Sequence, residues 1–344
     1  MTGRGGASGR AGGARPTITL LAAQLGVSPA TVSRAFSRPE LLRPETVERV
    51  LEAARAAGYV PNRHARALST GRTGAVGIVV TDIANPFFPP LIRHVQNLAQ
   101  ERGLNVLLAD TDEQPRREEA AVALLSHQVE GLLLCSSRLA STTLRRLAQQ
   151  HRLVLVNRDV YDTARVLLDT GPAVREAVTR LAELGHRRLT YLAGPQPRSW
   201  SNSQRSAAVR DQAAELGLEL TSLPTAHGTY EDGYAVADRV RVAGATAVVA
   251  FDDILAHGVM GGLASLGVQV PRDVSVIGCD DVLATTTHPP LSTIAVDLRA
   301  VAEASMAMLL EGPGAQPSGR TLLLARLVLR GTVGPAPRVR PGSG

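Results

Sequence analysis

Apolar positions along the chain change period once. From Ile18 to about Gly58 they recur every three or four residues. "ITLLAAQLG" puts Ile18, Leu21, Ala22 and Leu25 on one face, and Gly26 follows as a stop. "VSPATVSRAF" opens on Ser28, a good N-cap, with Pro29 at the first helical position. Its inward positions are Ala30 or Thr31, Val32 and Ala35. "PETVERVLEAARAAG" aligns Val47, Val50, Leu51 and Ala54 and ends at Gly58. Two short helices around a glycine turn, then a third, predict a helix-turn-helix unit over 16–60.

From residue 75 the apolar residues come in continuous runs: "AVGIVV", "LNVLLA", "GLLLC", "LVLVN", "RLTYLAG", "TAVVAF" and "DVSVIGC". Helical patterns separate most of them, such as Val174, Val178 and Leu181 ahead of Gly185. Runs apolar on both faces predict parallel strands with helices on either side. They are too many for one comfortable sheet, so two α/β lobes of about 100–130 residues each are expected. A Gly/Arg arm over 1–15 and a Pro/Gly/Arg tail over 335–344 read as disordered.

Charge sharpens this division. Of the formal +6, residues 1–74 hold 11 arginines against four glutamates, a net of +7, and the remainder is near −1. Basicity confined to one end points to a polyanion partner there, or to a solubilising tail rich in arginine. No run approaches the roughly 18 apolar residues of a membrane span. The N-terminus lacks the apolar stretch of a signal peptide, so a cytoplasmic protein is expected rather than a secreted binding protein. Cys135 and Cys279 sit in apolar runs and read as reduced core residues. Metal-ligand spacing, a Gly-x-Ser-x-Gly elbow and a P-loop are all absent, and the Gly-rich N-terminus follows no strand. The acidic pairs Asp252–Asp253 and Asp280–Asp281 alone do not make an enzyme. Neither cofactor nor metal is expected.

Five blocks carry a resemblance: "TITLLAAQLGVSPATVSRAFSRPE", "PETVERVLEAARAAGYVPNRHARALSTGRT", "VGIVVTDIANPFF", "LAELGHRRLTYLAGP" and "VPRDVSVIGCDD" with "PPLSTI" after it. In this order, over about 16–334, the chain resembles the LacI/GalR family of bacterial transcription regulators. The resemblance implies an all-α helix-turn-helix headpiece and an α/β core of two doubly wound parallel-sheet lobes, like periplasmic binding proteins. A hinge helix and linker would span 61–74. The N-terminal lobe would take about 75–169 plus 294–322, and the C-terminal lobe about 170–293 plus 323–334. It further implies a homodimeric repressor on a palindromic operator, associated with the nucleoid. A sugar or nucleoside effector would bind between the lobes and act allosterically, as inducer or corepressor.

On the family pattern "SPATVSR" is the recognition helix, with Pro29, Ala30 and Arg34 facing base edges. Arg34 can bond a guanine in bidentate fashion, while Pro29 and Ala30 offer apolar contact. Thr17, Ser28, Thr31 and Ser33 resemble phosphate contacts. The bland alternatives are a plain N-cap for Ser28 and a solvated charge for Arg34. "NRHARALS" is too short to hold a helix alone. In the family it folds on the operator beside its twin. Leu68 would then wedge a minor-groove base step, or else pack on the core. Asn62 and Arg66 would hold backbone or groove edges, and Ala65 stays small where the hinge helices approach. Leu20 and Arg43 stand where the family favours an acid and a serine, which weakens two helix starts.

For the effector the resemblance selects Phe87 and Phe88 as stacking positions, Arg205 on ligand hydroxyls or carboxylate, and Asp280 as a hydroxyl acceptor. Trp200 falls in a loop near the cleft or packs nearby. Asp252 stands where asparagine is usual, before a family-typical Asp253. An ionised aspartate only accepts hydrogen bonds, so Asp252 favours a ligand rich in hydroxyl or amine donors. Helix capping is the alternative for both aspartates. Cys279 replaces a frequent aromatic, and Ala207–Val209 replace a bulkier motif, so the helix after Arg205 should pack differently.

Overall fold

The computed structural model describes residues 16–59, 73–194, 199–311 and 316–338. The arm, the hinge positions Asn62, Ala65, Arg66 and Leu68, and residues 339–344 lie outside the described residues. The chain divides into two units, 1–74 and 75–344.

In the first unit, helix α1 (Ile18–Leu25) starts where Thr17 Oγ1 accepts from the Leu20 amide at 3.3 Å. It stops at Gly26, whose φ of 66° suits glycine. Helix α2 (Pro29–Ser37) starts at Ser28, whose Oγ accepts from the Thr31 amide at 3.0 Å. Helix α3 (Pro44–Ala56) starts at Arg43, which makes no side-chain cap. Leu21, Ala22, Val32, Ala35, Val50 and Ala54 form the core, with Phe36 and Tyr59 packed against it. Val47 and Leu51 are only half-buried. Ala30, expected as a possible inward residue, is exposed, because α2 buries only Val32 and Ala35.

The second unit holds two six-stranded sheets. The first, in the order β11-β5-β4-β3-β1-β2, comprises β1 (Ala75–Val80), β2 (Asn105–Asp110), β3 (Leu132–Cys135), β4 (Leu153–Val156), β5 (Arg165–Asp169) and β11 (Arg320–Leu324). Every pairing in it is parallel. The second, ordered β12-β10-β9-β8-β6-β7, comprises β6 (Arg188–Ala193), β7 (Glu219–Pro224), β8 (Ala247–Ala250), β9 (Ser275–Asp280), β10 (Ser292–Ala295) and β12 (Arg326–Val328). Only β12, against β10, runs antiparallel. Helices α4 (Phe88–Glu101), α5 (Pro115–Leu125), α6 (Ser141–Gln150) and α12 (Leu298–Leu310) serve the first lobe. Helices α7 (Gly171–Glu183), α8 (Trp200–Glu215), α9 (Tyr230–Ala235), α10 (Ala237–Val242) and α11 (Asp253–Ser265) serve the second.

The central strands β1, β3, β4, β8 and β9 are buried at every position, as their continuous apolar runs require. β2 is an edge strand, and Leu108 is 45% exposed, so this run is not buried on both faces. The crossovers also differ from expectation. Boundaries at 294 and 322 would cut β10 and β11, yet their ladders continue through Ala295 opposite Asp280 and Leu324 opposite Asp169. The chain changes lobe after Ala295 and after Leu324.

The tail is more ordered than its composition suggests. Thr332 is fully buried and donates to the Val276 carbonyl at 2.6 Å. The Gly334 carbonyl lies 3.0 Å from His186 Nε2, and the Ala336 amide donates to Leu184 O at 2.8 Å. Disorder over 335–338 is therefore corrected. Cys135 and Cys279 are free and buried. Among the described residues no helix is long and apolar enough to cross a membrane.

Arg43→Ser supplies the missing cap of α3. It is expected to stabilise the three-helix unit by about 1 kcal/mol. Slower amide hydrogen exchange in the first turns of α3 would show this, and unchanged exchange would contradict it.

Candidate nucleic-acid interface and ligand cleft

Pro29, Ala30 and Arg34 are exposed on α2, on the side away from buried Val32 and Ala35. Pro29 with Ser33, and Ala30 with Arg34, are i,i+4 neighbours and so share one surface. Ser28 Oγ and Thr31 Oγ1 lie 2.9 Å apart at the start of this helix. Thr17 occupies the same capping position on α1. Neither helix carries an acid in its first turn. Their positive ends are therefore uncompensated, which suits phosphate. The exposed Leu20, a loss for α1 alone, contributes to that property.

The second unit contains a cleft, partly open to solvent and lined by residues of both lobes. Its lining residues follow the carboxyl ends of strands in both sheets, where open α/β sheets bind ligands. The first lobe contributes Thr81, Asp82 and Asn85 after β1, Phe87 and Phe88 at α4, Glu113 after β2, Ser136 and Arg138 after β3, and Asn157 after β4. The second contributes Ser199, Ser201 and Arg205 at α8, His227 and Gly228 after β7, Phe251 and Asp252 after β8, and Asp280 ending β9.

Arg205 is the hub of the second lobe's wall, at 3% exposure. Its Nη2 donates to Asp280 Oδ1 at 3.0 Å, its Nη1 donates to the Phe251 carbonyl, and its guanidinium lies 4.8 Å from the Phe251 ring centre. Burial disfavours the charge, but Asp280 and the other acidic groups nearby outweigh it, and the guanidinium stays charged. Asp252 caps α11, with Oδ1 accepting from the Leu255 amide at 2.9 Å. Burial, helped by Asp280, pushes its carboxyl up to about 8.

Asp253 does different work. It accepts from Thr293 Oγ1 at 2.6 Å and from the Val282 amide at 3.1 Å, and so pins the turn after β9 to β10. Asp280 itself has a φ of 105°, a strained conformation for a residue with a side chain. Across the cleft, Asn157 Nδ2 donates to Ser201 Oγ at 2.8 Å, one lobe to the other. Asn157 Oδ1 is buried with no partner. Arg138 forks onto Glu113, with Nη2 to Oε1 at 2.9 Å.

The profile of bacterial regulatory proteins of the lacI family matches residues 17–62, and that of the periplasmic binding protein-like domain matches 178–333. The transcriptional regulator GalS of Salmonella typhimurium is 32% identical over 86% of this chain and 89% of its own length. The chain belongs to the LacI/GalR family. The lac repressor dimer bound to operator and the anti-inducer ONPF superposes with a TM-score of 0.83 at 25% identity, over 93% of this chain and all of that one. A complex of the regulator CelR with cellobiose gives 0.66 at 28% identity, over 92% and 100%.

As a LacI/GalR protein the chain is a DNA-binding transcription regulator and not an enzyme. Of the cleft residues expected from the family pattern, the structure brings together Phe87, Phe88, Arg205, Asp252 and Asp280. Phe87 and Phe88 meet edge to face at 5.2 Å. Trp200 is a correction. It is the first residue of α8, not a loop residue, and the helical turn brings its neighbours Ser199 and Ser201 to the cleft instead. For Asp252, burial and the neighbouring Asp280 raise the carboxyl to about 8, which favours the protonated, donating form over the ionised one. Of the two aspartates expected as possible caps, only Asp252 is one. Ala208 and Val209 are buried in the core, so small residues fill the space behind Arg205. Sequence reasoning missed Phe251, Glu113, Arg138, Asn157, Ser199 and Ser201. Their one signal was position, since each falls shortly after a strand or at the start of the next helix.

A carboxyl raised in the fold stabilises it most at acid pH, and that contribution is lost as pH climbs from about 4 through about 8. Asp252→Asn removes the titration while its amide oxygen can keep the cap. The melting temperature of the variant relative to the parent is expected to rise between about pH 5 and about pH 9. A difference flat across pH would contradict the protonated Asp252.

Proposed function

We propose that the protein is a homodimeric repressor that binds a palindromic operator and is controlled by a sugar or nucleoside seated between its core lobes. It acts on DNA in the cytoplasm, at the nucleoid. The observation that carries this reading is the pairing of an exposed α2 face with a polar cleft at the strand ends of two lobes. Arg34 reads a guanine, while Pro29 and Ala30 give apolar contacts that tolerate thymine methyls. Thr17, Ser28, Thr31 and Ser33 hold phosphates and set register.

The hinge residues Asn62, Ala65, Arg66 and Leu68 convey the state of the core to the DNA. Leu68 serves as the wedge in a minor-groove base step. The effector moves the equilibrium by its differential affinity for two arrangements of the lobes. The aromatic floor of Phe87, Phe88 and Phe251, with Arg205 and Asp280 beside it, fits a polyhydroxylated ring. The CelR–cellobiose and lac repressor complexes support a sugar by analogy.

Selection of genomic fragments by the full chain should return a palindrome. Arg34→Ala is expected to lose preference at one base pair per half-site, at a cost of about 1–3 kcal/mol. Equal weakening on operator and random DNA would reduce Arg34 to a solvated charge.

A further inference from the structure

Among the described residues, carboxyl groups lining the cleft outnumber its arginines. The two lining arginines described are already committed to carboxylates, Arg138 to Glu113 and Arg205 to Asp280. Asp82 and Asp252 also line it, and neither has a basic partner among the described residues. His227, the remaining lining base, is largely exposed and lies beside Asp232. Neutral polar groups lean the same way. Asn157 is 5% exposed, spends its donor on Ser201, and keeps Oδ1 buried without a partner. Among the described residues the cavity is thus rich in acceptors and has no uncommitted arginine, which disfavours a phosphorylated or acidic ligand.

Resting on the reading of this cleft as the effector site, we propose that the effector carries a protonated amine held against Asp252. The cleft then takes an amino sugar in preference to the neutral sugar of the same ring. The ring lies on the phenylalanines, Asn157 Oδ1 accepts one ligand donor, and the ammonium donates to the Asp252 carboxylate. The groups facing Asp252 are Asp280 at the end of β9, Arg205 on α8, Asp253 in its own helix and Tyr191 on β6. Of these, Arg205 is paired with Asp280 and Asp253 is hydrogen-bonded to β10. Tyr191 donates its hydroxyl proton to Asn202 Oδ1 at 3.0 Å. Among the described residues, the one cation acting on Asp252 is thus Arg205, already paired with Asp280.

Burial pushes the Asp252 carboxyl up to about 8 and so favours its proton in the absence of a cation. Binding a cation makes the carboxylate favourable. The carboxyl O–H breaks, its proton passes to buffer, and the ammonium keeps its own. The net charge of the cleft is unchanged by the exchange of one cation for one proton.

Calorimetry at about pH 6 tests this in two buffers of different ionisation enthalpy. The probes are hexoses, their 2-amino and 6-amino counterparts, and the N-acetyl forms. An amino member is expected to bind at least tenfold more tightly than its hydroxyl counterpart, with release of close to one proton. In Asp252→Asn that ratio should fall towards one. If the variant does not fold, proton release by the parent protein still decides. A hydroxyl or N-acetyl member binding as tightly as its amine overturns the proposal and leaves a neutral-sugar effector standing. No binding by any member overturns both.

Discussion

A buried guanidinium must find its counter-charge inside the protein, and Arg205 organises the ligand cleft around that demand. It reaches from α8 to the ends of β8 and β9 at once. Asp280 meets its charge from a backbone conformation that a side chain seldom adopts. That strain is maintained by Asp253 and Arg330, which hold the turn that follows. Beside this pair Asp252 is buried, and burial together with the Asp280 charge pushes its carboxyl up. One ion pair therefore organises the second lobe's wall and the polarity that a ligand meets.

The fold was legible where burial is two-sided. β1, β3, β4, β8 and β9 show as apolar runs because helices cover both faces. β7, β11 and β12 stayed hidden because sheet edges keep an exposed face, so "ELTSLP" and "RTLLL" mix polar with apolar residues. β10 was hidden for the opposite reason. It is fully buried, but its Ser292 and Thr293 are satisfied by Arg330 and Asp253, contacts some forty residues away in sequence.

The site was legible in its local motifs and obscure in its distant pairs. Capping residues, the exposed face of α2 and the aspartates after strands follow from short stretches. Asn157 with Ser201 and Glu113 with Arg138 are separated by 44 and 25 residues, and single-sequence spacing carries no trace of them. The protonation of Asp252 was invisible for a related reason, since it depends on burial and on a charge brought from β9. The Asn157–Ser201 bond is the direct tie between lobes at the cleft, so a ligand that replaces it changes how the lobes are held.

Regulation requires that cleft and DNA-reading face be coupled, and coupling is reciprocal. The most direct test titrates effector with and without operator present, and operator with and without saturating effector, on the full chain. The same factor is expected in both directions, of about 5–150-fold. A factor of one both ways, with each ligand still bound, would leave two independent binding units and contradict an effector-controlled regulator.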